Sequence, residues 1–249
     1  MPGTSMRPRL RRVVLTLALA APGLLAHAAV SVWGVSLPET ANVGGTTLVL
    51  NGAGWRKRGY AKVDVSAIYL TSRVSDATAL EHAAGPKRIQ LVLLEDVSGL
   101  QAERYFVSDF ELVATRAEFA QVIGDVAEVG GLYAGLPRLR RGDIVTIDYV
   151  PGKGILAQHN GEPMVPVRAD SPWIGSALFM EILLRIHLAG KVSTELRANL
   201  LGLSTSMRDA GPAAETPTAR QCSVSHCEAL HKTGGKDTVL CASQCETLH

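Results

Sequence analysis

Beyond its first 28 residues this 249-residue chain has no apolar run fit to cross a bilayer. The longest, "WIGSALFMEILLRIHLAG" from Trp173, is interrupted by Glu181 and Arg185. It falls short of the roughly 20 apolar residues that a spanning helix needs and is expected as a core helix. Cysteine is missing before residue 222, and no CxxCH haem-attachment pattern occurs anywhere. No internal repeat is visible. A strong basic excess is missing too: of the formal charge of +2, four arginines lie in residues 1–28 with no acidic residue among them. The remainder carries 21 basic and 23 acidic residues, about −2 in all, so charge lends no support to nucleic-acid binding.

What the first segment does contain is the arrangement of a signal peptide. Arg7, Arg9, Arg11 and Arg12 form a basic region, Val13 to Ala26 is a short apolar stretch, and Ala26-His27-Ala28 supplies a small-x-small cleavage pattern. Cleavage is expected to leave Ala29 first, with the mature protein periplasmic or secreted. An uncleaved anchor would need a longer apolar core.

Residues 29–208 form the expected main domain. "TTLVLNGAG" and "KVDVSAIYLTS" are expected strands on either side of a Gly-rich loop holding Gly52, Gly54 and Gly59 with Arg56, Lys57 and Arg58. "RIQLVLLEDV" is a third strand, and residues 98–128 are expected as one or two helices with Ser98 as N-cap. "GDIVTIDYVPGKGILAQHNGEPMVPV" has two strand runs around Pro151-Gly152-Lys153-Gly154 and a turn at Asn160-Gly161, a three-strand meander. Ser171-Pro172 is expected to start a helix at Trp173 that ends near Gly190, and Ser193 to open a short helix closed by Gly202. Strands then helices, repeated once, imply an α+β fold: an antiparallel β-sheet covered on one face by helices.

Taken in order, the Gly-rich segment with Arg56, "KVDVSAIYL", the helical middle, "GDIVTIDYVPGKG", "NGEP" and "ALFMEILL…LRANLLG" resemble the chalcone isomerase-like family, specifically its bacterial exported branch, over residues 32–204. The resemblance implies an open-faced sandwich with an apolar cleft between sheet and helices. The family's isomerases use a loop arginine, a strand threonine, and a helix tyrosine and asparagine. These fall on Arg56, Asp64, Ala102 and Asp109, so three of four positions have changed chemistry. Conjugate addition needs a phenolate and a developing enolate stabilised by preorganised donors. Carboxylates at Asp64 and Asp109 oppose both unless paired with Arg56, and the resemblance therefore implies little isomerase activity. Non-catalytic members resemble fatty-acid-binding proteins, in which the loop arginine and a tyrosine hold a carboxylate. That reading makes Arg56 the bidentate anion holder and Tyr69 and Tyr105 the candidate hydroxyl donors. Lys57 and Arg58 are expected to be solvated; Asp64 and Asp109 are candidate ligand-site residues by their family positions, with a place at the surface, where aspartates mostly lie, as the alternative. The alternatives are an intramolecular lyase with altered residues and an interaction protein without a small-molecule ligand.

Residues 209–220, "DAGPAAETPTAR", are an expected linker. Beyond it, residues 221–249 hold Cys222, Cys227, Cys241 and Cys245. In an exported protein two disulfides are expected. Nested Cys222–Cys245 and Cys227–Cys241 bridges would staple a helical hairpin around Gly234-Gly235, a candidate surface for a protein partner. Zinc held by the thiolates with His226, His231 or His249 is the alternative. No cofactor is expected.

Overall fold

The computed structural model describes residues 29–165 and 171–204. The expected leader, linker and cysteine tail with its bridges lie outside the described residues. In chain order the elements are strands β1 (Ala29–Val32), β2 (Val35–Pro38), β3 (Thr40–Val43), β4 (Thr46–Arg58) and β5 (Ala61–Leu70), helix α1 (Ala77–Glu81), strands β6 (Lys87–Leu93) and β7 (Val97–Ser98), and helices α2 (Gly99–Val113) and α3 (Arg116–Ala134). Strands β8 (Arg138–Leu139), β9 (Ile144–Val150), β10 (Gly154–His159), β11 (Glu162–Pro163) and β12 (Trp173–Ile174) follow, then helices α4 (Ala177–Leu188) and α5 (Thr194–Leu200).

An antiparallel sheet in the order β11-β10-β9-β6-β5-β4-β3, with β12 added beside β10, carries helices on one face. Alternation along the strands divides the apolar residues between two cores. Ile68, Leu70, Ile89 and Ile147 meet Phe110, Phe179 and Leu183 under the helices, while Val65, Ala67 and Tyr69 meet Val32 and Leu37 of the β1–β2 ribbon on the other face. The helices begin where short polar side chains satisfy otherwise orphaned N–H groups. Ser98 caps α2, Ser176 caps α4 and Ser193 caps α5, and Thr115 with Glu118 forms a capping box on α3. The Asn160-Gly161 turn has φ of 52° and 87° and closes the β10–β11 hairpin as expected.

Two expectations are corrected. The Gly-rich stretch is not a loop: β4 runs unbroken through it to Arg58, and the turn is Gly59-Tyr60. Its glycines serve close approach instead. A Cβ on Gly52 would stand 2.1 Å from the Asn199 carbonyl oxygen, and one on Gly54 would stand 2.6 Å from Leu196 Cδ1, so both let α5 lie directly on the strand. Asn51, left out of the ladder by a register shift, pins that contact. Its Nδ2 donates to the carbonyls of Leu200 at 2.7 Å and Val74 at 3.0 Å. The second correction is the start of α4, which is Ala177 rather than Trp173. Trp173 and Ile174 pair with Leu156 and Ile155 instead, because extending the sheet satisfies backbone groups that a helix starting there would leave against β10.

Candidate functional site

Toward its end the β4–β5 hairpin carries a second register shift, between Arg56 and Lys57. Arg56 pairs with Asp64 but Lys57 pairs with Lys62, so Val63 is the extra residue. The bulge breaks strict alternation and turns Val63 and Asp64 toward the helices together. Lys57 and Lys62 turn to the opposite face, where their ammonium groups lie over Trp55 at 4.9 and 5.5 Å.

On the helix side four charges form one cluster. Arg56 donates to Asp64 Oδ2 from Nε at 3.0 Å and from Nη2 at 2.6 Å, and Ser66 Oγ donates to Asp64 Oδ1 at 2.8 Å. Asp64 is only 1% exposed. Arg58 donates from Nη1 to Asp109 Oδ1 at 3.1 Å and from Nη2 to Asp109 Oδ2. Arg56 Nη1 lies 3.6 Å from the same carboxylate. The Arg58 guanidinium also sits 4.2 Å over the Tyr105 ring, whose hydroxyl accepts from Gln101 Nε2 at 2.6 Å. Burial by itself would lower the pKa of Arg56, but Asp64 outweighs it and the net direction is upward, so Arg56 stays charged.

This cluster is one wall of a cavity of about 80 Å³ between sheet and helices. The remaining wall is mostly apolar, with Leu91, Leu93, Phe106, Val145, Ile147 and Leu183 among its members. Two residues of its lining carry a buried polar atom without a partner, and a third brings a buried phenol. Arg58 Nε and His187 Nδ1 are buried and have no hydrogen-bond partner among the described residues. Tyr133, from α3, is buried beside Phe106 at 5.9 Å between rings, and burial pushes its phenol up to about 12 despite the opposing pull of Arg56. His187, 4% exposed on the last turn of α4, is pushed down to about 3, first by burial and then by Arg56, and is neutral at pH 7. On its outer side the cluster borders a groove of about 190 Å³ lined by Lys57, Leu112, Val113, Lys191, Val192 and Leu196.

Arg56, Asp64, Tyr105 and Asp109, four of the five positions that the family resemblance made candidates, are therefore brought together. Asp64 and Asp109 do not lie at the surface: Asp64 is buried and Asp109 is 17% exposed by side chain, because each is neutralised by a guanidinium. Nor is Arg58 a solvated neighbour. It occupies the site, while Lys57 is exposed as expected. Tyr69 is on the wrong face. It is fully buried in the smaller core and its hydroxyl donates to the Pro38 carbonyl at 3.0 Å, because odd-numbered β5 residues beyond the bulge point to the β1–β2 ribbon. Tyr133 and His187 escaped sequence reading. Each lies on the buried, otherwise mostly apolar face of its helix, and only the meeting of α3 and α4 over Arg56 distinguishes them from ordinary core positions.

Among the described residues no group of three or more metal-ligating side chains is placed to hold a metal ion, and no helix is long and apolar enough to cross a membrane. A family model described as chalcone isomerase-like matches residues 29–202. No protein with a curated description matches the sequence. Among solved structures, the chain is similar to the crystal structure of a fatty-acid-binding protein from Arabidopsis thaliana, with a TM-score of 0.51 and 14% sequence identity, over 72% of this chain and 98% of that one. At that identity the likeness concerns the fold.

Proposed function

The chain belongs to the chalcone isomerase-like family, and from that premise we propose that it is an exported binding protein for an amphipathic carboxylic acid of the fatty-acid class rather than an isomerase. The observation that carries this reading is the buried, unpartnered Nε–H of Arg58 on the wall of a mostly apolar cavity. A buried donor left unsatisfied costs about 1–3 kcal/mol, and a ligand oxygen recovers it. Tyr133 Oη supplies a second donor nearby. The acyl chain takes the apolar wall below Phe106 and Leu183.

The similarity to a fatty-acid-binding protein's fold supports the ligand class. Against catalysis stand Asp64 and Asp109, which hold negative charge where ring closure would develop more of it. The cavity, at about 80 Å³, is roughly half the ~150 Å³ that admits a benzene ring, so a long chain enters only as a helix lifts. Helix α2 is the one suited to move: Gly99 and Phe110 are its buried residues, against eight in α4.

The test is native mass spectrometry with lipid extraction of protein from its own cells, followed by titration with fatty acids of increasing length. Copurified or titratable fatty acid is expected. Arg58→Ala should weaken binding by about 1.5–3 kcal/mol, the range for hydrogen bonds to charged groups, and Lys57→Ala should leave it unchanged. Equal effects of the two substitutions, or no binding at any chain length, would reject the reading. Flavanone formed from chalcone well above the spontaneous rate would return the protein to the enzymes.

A further inference from the structure

The face of the β4–β5 hairpin turned away from the cavity carries aromatic and cationic side chains that the ligand site does not use. Trp33 and Trp55 meet edge to face at 5.4 Å. Lys62 Nζ lies 3.3 Å from the Trp33 ring centre, and Lys57 Nζ covers Trp55. At the tip, Tyr60 is fully exposed. These five residues carry two positive charges and no negative one.

Trp33 is also held in an unfavourable backbone conformation. Its φ is 51°, in the left-handed region that glycine or asparagine adopts readily and a bulky side chain rarely does. The turn it shares with Gly34 would form more easily with a smaller residue, yet a tryptophan stands there 46% exposed. Strain retained at an exposed aromatic points to a use for the ring.

Tryptophan, tyrosine and lysine together are the side chains that settle at a bilayer's polar boundary, where rings sit among headgroups and ammonium groups meet anionic lipid. A sugar polymer would need bare ring faces for stacking, and here the ammonium groups of Lys57 and Lys62 lie over them. Position favours a membrane as well. Lys57 belongs both to this patch and to the groove outside the charge cluster, where Arg58 and Lys191 add positive charge and the half-exposed Leu112 forms the rim. We propose that the outer end of the β4–β5 hairpin, with Trp33 beside it, docks on an anionic lipid bilayer, the phase from which an amphipathic acid passes through the groove to the cavity. The role given to docking rests on the binding function proposed above, but the contact itself is measured separately.

The protein, as its own cell processes it, is mixed with vesicles of phosphatidylglycerol and phosphatidylcholine, or of phosphatidylcholine alone, with acyl chains brominated to quench nearby tryptophan. A Trp173→Phe substitution leaves Trp33 and Trp55 as the fluorophores, and residues 1–28 contain no tryptophan, so the signal belongs to the patch. Quenching is expected on the anionic vesicles, weakening at high salt. Trp33→Gly combined with Tyr60→Ser should lower partitioning about tenfold, and Lys57→Gln with Lys62→Gln should do likewise. Trp33→Gly relieves the strained φ, so loss of binding without loss of thermal stability would exclude misfolding as the cause. Equal quenching in wild type and variants, or no quenching on anionic vesicles, would overturn the proposal. So would binding of a soluble anionic polysaccharide or a protein by this patch in place of vesicles. Ligand titration without vesicles reads the cavity alone, so either proposal can fail without the other.

Discussion

Arg56 and Arg58 are two residues apart, share a sheet face and reach the same Asp109, yet their situations differ. Arg56 has both its fork hydrogen bonds on Asp64, a carboxylate 1% exposed whose other partner is Ser66. Removing it strands a buried charge. Arg56→Ala is therefore expected to cost about 3–5 kcal/mol of stability, while Arg58→Ala costs less because the carboxylate it would leave behind, Asp109, keeps 17% of its side chain exposed against 2% for Asp64. Denaturant titrations of the two variants check this, and equal losses would contradict the division of roles. The arginine that matches the family's anion holder thus acts first as a structural counter-ion. Asp109 is the competing carboxylate on Arg58. Asp109→Asn keeps the shape and removes the charge, so it should strengthen fatty-acid binding by about tenfold, measured by the same titration. Weaker binding in that variant would mean that Asp109 holds Arg58 in place rather than competing for it.

At the scale of elements, the long strand and the lightly buried helix set what moves. Strand β4 is fixed between β3 and β5 and under α5, whose approach depends on Gly52 and Gly54. Helix α2 has fewer apolar anchors than α3 or α4, so its hydrogen bonds open at lower free energy. Amide exchange in residues 99–113 should be faster than in 177–188, and saturating fatty acid should slow the former more. Unchanged exchange in α2 on ligand binding would require another way into the cavity. The strand-then-helix order, the N-caps at Ser98 and Ser193 and the turn at Asn160-Gly161 could all be recognised in the sequence because each rests on neighbours within a few residues. The Gly-rich segment deceived for the opposite reason. Glycine permits a turn and permits close approach, and its use at 52 and 54 was decided by α5, some 140 residues away along the chain.

Over the whole molecule, acid should loosen the fold in two stages. His187 titrates ordinarily at 6.5 when unfolded and near 3 in the native protein, so the unfolded chain binds the extra proton between those values. Stability therefore falls as pH falls through that window, by about 2 kcal/mol between pH 6.5 and 5. His187→Gln should abolish most of that slope in denaturant titrations at the two pH values, and an undiminished slope would show that His187 is not held neutral. Glu118 is lowered from 4.5 to about 2 by hydrogen bonds from Arg185 and the Thr115 backbone, and adds a loss as pH falls through that lower range. By itself the sequence determined the class of fold and most of the strand and helix order, because local periodicity and caps are written in adjacent residues, and the order of its motifs carried the resemblance to the family that made Arg56, Asp64, Tyr105 and Asp109 candidates. Only the tertiary structure decided that Arg56 is already occupied by Asp64, that Tyr69 faces the other core, and that Arg58, Tyr133 and His187 line the cavity. Those outcomes depend on a one-residue bulge at Val63 and on which helices meet above it, and burial, pairing and facing are properties of the assembled sheet and helices that no single segment carries.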